Sequence, residues 1–219
     1  MQAKGQQGFT LIEMAIVLVI IGLILGAVLK GQELIGNAKV KKLQQQFING
    51  LDGFIWGFYD RKGRFPGDCN NNGLIGYALP TGAANPYTVP AVSTNQNPTA
   101  TNEYCQTTAT PENINVPFGD LRSQGFLSPN ATNQELTRFT GFGTQTEVRI
   151  GTANARNAIV VYNIPSYAAQ MIDASIDGAE NATSGRLRAW DAATLGLGGA
   201  WQTNKDQLVH IVYYFDRQP

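Results

Sequence analysis

The chain has 219 residues, with 16 basic and 16 acidic side chains and a formal net charge of zero. That balance gives no support for a nucleic-acid binder or an acidic solvating tail. The length allows one domain with its own core plus an extra segment. Charged residues make up only 15% of the chain, and Gly, Asn, Thr and Ala are abundant. This composition points to an exported, loop-rich surface rather than a cytosolic enzyme.

Residues 1–8, MQAKGQQG, are hydrophilic with a single Lys. Phe9 to Leu29 is apolar for 21 residues, which as a helix spans about 31 Å, the depth of a bilayer's hydrocarbon core. Its clearly polar side chains are Thr10 and Glu13, and Lys30, Lys39, Lys41 and Lys42 follow it. A secretory signal has a shorter apolar run with its small-residue cleavage site behind it. Here the small residue, Gly8, stands in front. A cut after Gly8 removes the leader, keeps the helix and makes Phe9 the new N-terminus. Glu13 becomes the fifth residue of that mature chain. A lone ionised carboxylate in a membrane costs about 3 kcal/mol. The free amine of Phe9 is a partner that offsets this cost, one turn away in the same helix or closer from a neighbouring one. Glu13 is therefore expected to set helix register during assembly.

The run Gly8-Phe9-Thr10-Leu11-Ile12-Glu13 and the apolar helix behind it, to about Phe58, resemble type IV prepilins and the pseudopilins of type II secretion. The resemblance implies cleavage after Gly8 by a membrane aspartic peptidase, N-methylation of Phe9 and recruitment into a filament through Glu13. It implies as partners the prepilin peptidase, an inner-membrane assembly platform and other pilin or pseudopilin subunits. It implies a single-pass inner-membrane precursor with a periplasmic or extracellular domain, displayed on a cell-surface filament after assembly. The plainer reading is a signal anchor with a stray Glu. The run departs from the family in lacking Pro: Lys30 stands about where many pilins carry it, and Gly22, Gly26 and Gly31 offer flexibility instead.

Beyond Lys30 the residues Leu34/Ile35, Ala38, Leu43, Phe47, Leu51, Phe54/Ile55 and Phe58 recur at three- and four-residue spacings. They predict an amphipathic helix to about Tyr59 with this stripe on a core. Gly50, Gly53 and Gly57 weaken that helix and offer close approach to a sheet. RKGRFPGDCNNNG, Arg61 to Gly73, ends it. Cys69 and Cys105 are 36 residues apart and fit one structural disulfide in an oxidising compartment; the alternative is two unpaired thiols. Ala78 to Pro117 reads as a long irregular region, either a surface-exposed specificity segment or a tolerated insertion. Thr146–Ile150, Asn157–Ile164, Leu187–Trp190 and Leu208–Phe215 read as strands joined antiparallel, and Pro165–Ala174 reads as a helix.

Enzyme machinery is not legible. His210 is the single histidine, inside a predicted strand, and reads as structural or solvent-facing. No nucleophile elbow, P-loop, zinc-helix motif or metal-type Cys cluster occurs, so no catalytic residue is assigned. Asp68-Cys69-Asn70-Asn71-Asn72-Gly73 resembles the first half of a calcium loop, with Leu79 where the closing acid belongs. A structural calcium would need Asp68, Asn70 and Asn72 plus distant acids, for which Asp173 and Asp177 are the candidates; turn chemistry alone also explains the loop. Phe65-Pro66-Gly67-Asp68 and Asp173 through Asp177-Gly178 resemble paired segments of some pilin-like proteins, which implies that the two meet. Asn130-Ala131-Thr132 and Asn181-Ala182-Thr183 match a glycosylation pattern that carries little weight behind a bacterial-type leader.

The sequence thus predicts an α+β, pilin-like fold: a leader (1–8), a membrane or filament-core helix (9–29) and an exported globular domain (30–219). Within it a long N-terminal helix packs on an antiparallel sheet. The function expected is a structural filament subunit of a type IV pilus or of type II secretion. The missing Pro, the size and the early disulfide favour a minor pilin or pseudopilin. The rival is a membrane-anchored periplasmic binding module that keeps residues 1–8 and does not polymerise.

Overall fold

A computed structural model describes residues 10–76, 104–107, 115–130, 138–143, 146–191, 196–197 and 199–216. The chain divides into two compact units, Met1–Lys39 and Val40–Pro219. The second begins at Val40.

Helix α1 is Leu11–Leu43, followed by a π-helical stretch, Gln44–Asn49, and by α2, Gly50–Lys62. In the first unit every large apolar side chain from Leu11 to Ile35 is at least 47% exposed. The most apolar part of the helix has a mean hydropathy of 2.9 with none of it buried, long and apolar enough to cross a membrane. Leu34, Ile35 and Ala38 belong to this exposed unit and not to the core stripe predicted for them. Burial of helix side chains begins at Val40.

In the second unit the buried helix residues are Val40, Leu43, Phe47, Ile48, Leu51, Ile55 and Phe58. The π turn is where Phe47 and Ile48, adjacent in sequence, both enter the core. Phe47 follows Leu43 by four residues, whereas Ile48 follows it by five. Helix α2 ends at Gly63, whose N–H bonds Tyr59 O at 2.7 Å.

The remaining elements are α3 (Val116–Ser123), β1 (Arg138–Phe139), β2 (Thr146–Ala153), β3 (Arg156–Pro165), α4 (Ser166–Asp177), β4 (Leu187–Asp191), β5 (Gly196–Leu197) and β6 (Leu208–Tyr214). The strands form one antiparallel sheet in the order β1-β2-β3-β6-β4-β5. Alternation sorts its two faces. Val148, Val161, Ile211 and Ala189 lie in register across one face, and Arg149, Val160, Val212 and Arg188 across the other. The first face joins the helix stripe and Ala168, Ala169 and Ile172 of α4 in the main core. The second holds a smaller buried cluster around Val160, Tyr162, Trp190 and Tyr214.

A bulge interrupts β3 between Val161 and Ile164, with Asn163 in the left-handed region at φ 58°. The bulge takes Asn163 out of the ladder, and side chains satisfy its backbone instead. His210 Nδ1 accepts its N–H at 3.1 Å, and Thr146 Oγ1 donates to its carbonyl at 2.9 Å. His210 is 3% exposed, so it is not solvent-facing.

Candidate functional site

The N-terminal end of α1 is built by two side chains. Thr10 precedes the helix, and its backbone N–H and Oγ1 donate to Glu13 Oε2 at 2.7 and 2.8 Å. Glu13 N–H donates back to Thr10 Oγ1 at 3.4 Å. This is a capping box, in which a Thr and the Glu three residues on satisfy helix N–H groups that have no partner in the helix. The reading that paired Glu13 with an amine missed it, although Thr-x-x-Glu is the signature. Past Glu13 the surface is apolar, and Met14, Ile16 and Val17 line a shallow groove beside its side chain. Gly8 and Phe9, the predicted processing and N-methylation positions, lie outside the described residues.

The second region is the linked loop after α2. Cys69 and Cys105 form a disulfide with Cα atoms 5.1 Å apart. Asp120, 1% exposed, organises it from α3. Its Oδ2 accepts Gly67 N–H at 2.9 Å and the Arg64 guanidinium at 2.7 Å, and its Oδ1 accepts Cys105 N–H at 3.1 Å. One carboxylate thus holds both sides of the disulfide. Gly67 sits at φ 86°, and a Cβ there would meet Pro117 Cγ at 2.7 Å, so both backbone and space demand glycine. Sequence reasoning placed no helix at Val116–Ser123 and no role on Asp120. The signal present was Pro117 at a helix start. Most of the Ala78–Pro117 segment lies outside the described residues.

Asp68 is fully buried. Its Oδ1 accepts Asn72 N–H at 3.0 Å and its Oδ2 accepts Gly73 N–H at 2.9 Å. Asn70 Oδ1 accepts Asn72 N–H at 3.1 Å, and Asn72 Oδ1 accepts Leu74 N–H at 2.8 Å. These are nested Asx turns. Asn157 of β3 fastens the loop to the sheet by accepting Ile75 N–H and donating to Gly73 O, both at 2.8 Å.

Asp173 and Asp177 serve a different loop. Asp177 accepts Arg186 and Leu187 N–H at 3.0 and 2.9 Å. Asp173 Oδ2 accepts Asn181 N–H at 2.6 Å and Trp201 Nε1–H at 3.1 Å. Burial pushes the Asp173 carboxyl above its ordinary range, and the nearby Asp177 carboxylate adds to the rise. The structure does not bring Asp68 and the Asp173/Asp177 pair into one ligand set. No group of three or more His, Cys, Asp or Glu among the described residues is placed to hold a metal. The physical reason is that each carboxylate is already engaged by backbone N–H groups of its own loop. The segments at Asp68 and at Asp173–Asp177 are each stapled within their own loop by a carboxylate.

From β6, Tyr213 OH donates to Asp52 Oδ2 of α2 at 2.9 Å. The Arg186 guanidinium lies 3.6 Å from the same oxygen and 4.7 Å over the Tyr213 ring. Burial pushes the Tyr213 phenol well up, with the Asp52 carboxylate adding to it.

The family model for the prokaryotic N-terminal methylation motif matches residues 3–29. No curated protein and no solved structure matches the chain. The match takes in residues 3–8, Phe9 and the Thr10–Glu13 box together, and runs to the end of the apolar segment. The chain therefore carries the prepilin-type signal of a type IV pilin-like or pseudopilin precursor.

Proposed function

We propose that the protein is a structural subunit of a type IV pilus or related filament, and more narrowly a minor pilin or a type II secretion pseudopilin. In this reading the prepilin peptidase cuts after Gly8 and Phe9 is N-methylated. The mature helix then passes from the membrane into a filament core through an inner-membrane platform. The observation that carries the reading is the methylation motif at residues 3–29 set on a wholly unburied apolar helix. Such a surface is stable in lipid or against other helices, and not in water. The second unit supplies a rigid body to display, with no catalytic role assigned to it.

Intact mass of the native protein from sheared surface material and from membranes tests this. A methylated chain starting at Phe9 is expected. In sheared material it means a pilin; in membranes alone it means a pseudopilin or scarce minor subunit. A chain starting at Met1 in both fractions would overturn processing and favour an unpolymerised membrane-anchored module.

A further inference from the structure

The sequence holds two Asn-Gly pairs, Asn49-Gly50 and Asn72-Gly73. In such a pair the glycine main-chain nitrogen, unshielded by a Cβ, attacks the asparagine side-chain carbonyl when the two are brought together. Both asparagines are exposed, so solvent reaches them equally. Their local geometry differs. Gly50 lies in a helix and gives its N–H to Gln45 O. The Gly50 nitrogen is thus aimed along the helix axis, while the Asn49 side chain projects outward.

The loop holds Asn72-Gly73 in another way. Leu74 N–H donates to Asn72 Oδ1 at 2.8 Å, which folds the Asn72 side chain back along its own peptide bond to Gly73. Gly73 N–H donates at 2.9 Å to Oδ2 of the fully buried Asp68. Asp68 Oδ1 and Asn70 Oδ1 fix the Asn72 N–H, and Asn157 Nδ2 fixes the Gly73 carbonyl. A Cβ built on Gly73 would meet nothing within 4 Å, so the approach is open. The loop therefore assembles a nucleophile, a carboxylate within reach of its proton, and a backbone N–H on the oxygen where negative charge develops.

We propose that Asp68, Asn72, Gly73 and Leu74 form a self-modification site that converts Asn72 to aspartate and isoaspartate in the folded protein. Asp68 takes the Gly73 proton as the bond from Gly73 N to Asn72 Cγ forms, and Leu74 N–H steadies the charge on Oδ1. The proton passes to Nδ2, the Cγ–Nδ2 bond breaks and ammonia leaves. Water then opens the cyclic imide at either carbonyl. The net change is uptake of water and release of ammonia, with no oxidation or reduction. The proposal is independent of the filament reading.

Peptide mapping for isoaspartate tests it, on the full-length protein folded in detergent at neutral pH and on the same chain in urea. In the folded protein Asn72 is expected to convert about tenfold faster than Asn49, and faster than it does in urea, where the two pairs should react alike. Asp68→Asn, which removes the base, is expected to slow conversion of Asn72 about tenfold or more. If that variant does not fold, the comparison of folded and unfolded parent decides alone. Conversion of Asn72 no faster in the folded protein than in urea would overturn the proposal and show that the bond to Asp68 protects the Gly73 nitrogen. A folded Asp68→Asn chain that converts as fast as the parent would overturn it too.

Discussion

Thr10 and Glu13 close on each other across the first turn of α1, hydroxyl to carboxylate at 2.8 Å and backbone N–H to hydroxyl at 3.4 Å. Glu13 therefore has a use before any partner arrives. It satisfies the Thr10 N–H at the mouth of an apolar helix, where an unpaired N–H is costly. The cap and the proposed register role separate by substitution. Glu13→Gln retains an acceptor for the box and loses the charge, whereas Glu13→Val loses both. Both variants are expected to be cleaved after Gly8, and both are expected to enter filaments poorly. Glu13→Val alone should also fray the first turn, a loss of about 1 kcal/mol of helix stability. Sheared-filament yield, with amide exchange at residues 10–14, checks this. Normal incorporation of Glu13→Gln would mean that the cap, and not the charge, is what assembly needs.

The long apolar helix was legible because a 21-residue apolar run admits few alternatives. Four of the six strands were legible as β-rich runs with hairpin-style links, whereas the two-residue edge strands β1 and β5 were not. What stayed hidden depended on long-range pairing. The exposed fate of Leu34 and Ile35 could not be separated by spacing from the burial of Val40 and Leu43. Asp120 is an ordinary acid in an ordinary stretch until the fold sets it between Gly67 and Cys105. Gly57 was expected to face the sheet; a Cβ there would instead meet the Phe126 ring at 2.7 Å. The Asp68 loop shows how one pattern serves two ends, since Asp, Asn and Gly at these spacings suit both a cation and nested turns.

That loop yields a prediction of its own. Both Asp68 oxygens already accept backbone N–H groups. Millimolar calcium or a chelator is expected to leave the melting temperature unchanged. Asp68→Ala is expected to cost about 2–3 kcal/mol by stranding the Asn72 and Gly73 N–H groups. Stabilisation by calcium that Asp68→Ala abolishes would show that the loop rearranges around a cation.

Asp173 predicts a pH dependence. Its carboxyl is held above the ordinary range, first by burial. The folded chain keeps a proton that the unfolded chain releases near its ordinary value of about 3.9. Stability is therefore highest below that value and falls as pH rises through the folded one. Asp173→Asn keeps an oxygen for Asn181 and Trp201 and removes the titration. The variant is expected to lose less stability than the parent between pH 4 and pH 7, read as the difference between their melting curves. An equal or steeper loss would show that Asp173 is ionised throughout in the folded protein.

The covalent and polar ties of the linked loop are separable. Removing the disulfide by Cys69→Ser with Cys105→Ser frees a 36-residue separation, for which chain entropy predicts a loss of about 4 kcal/mol. Asp120→Ala leaves the disulfide and removes the acceptor shared by Gly67, Cys105 and Arg64. Breaking a buried charge pair while stranding two N–H groups is expected to cost about 3–5 kcal/mol. Because Asp120 holds both sides of the disulfide, the two losses should not add. Once the carboxylate is gone the loop is already loosened, and the triple variant should fall short of the sum by more than about 0.5 kcal/mol. Denaturant melts of the four chains under non-reducing conditions measure this coupling. Simple additivity would mean that Asp120 stabilises α3 independently and that the linked loop owes its position to the disulfide alone.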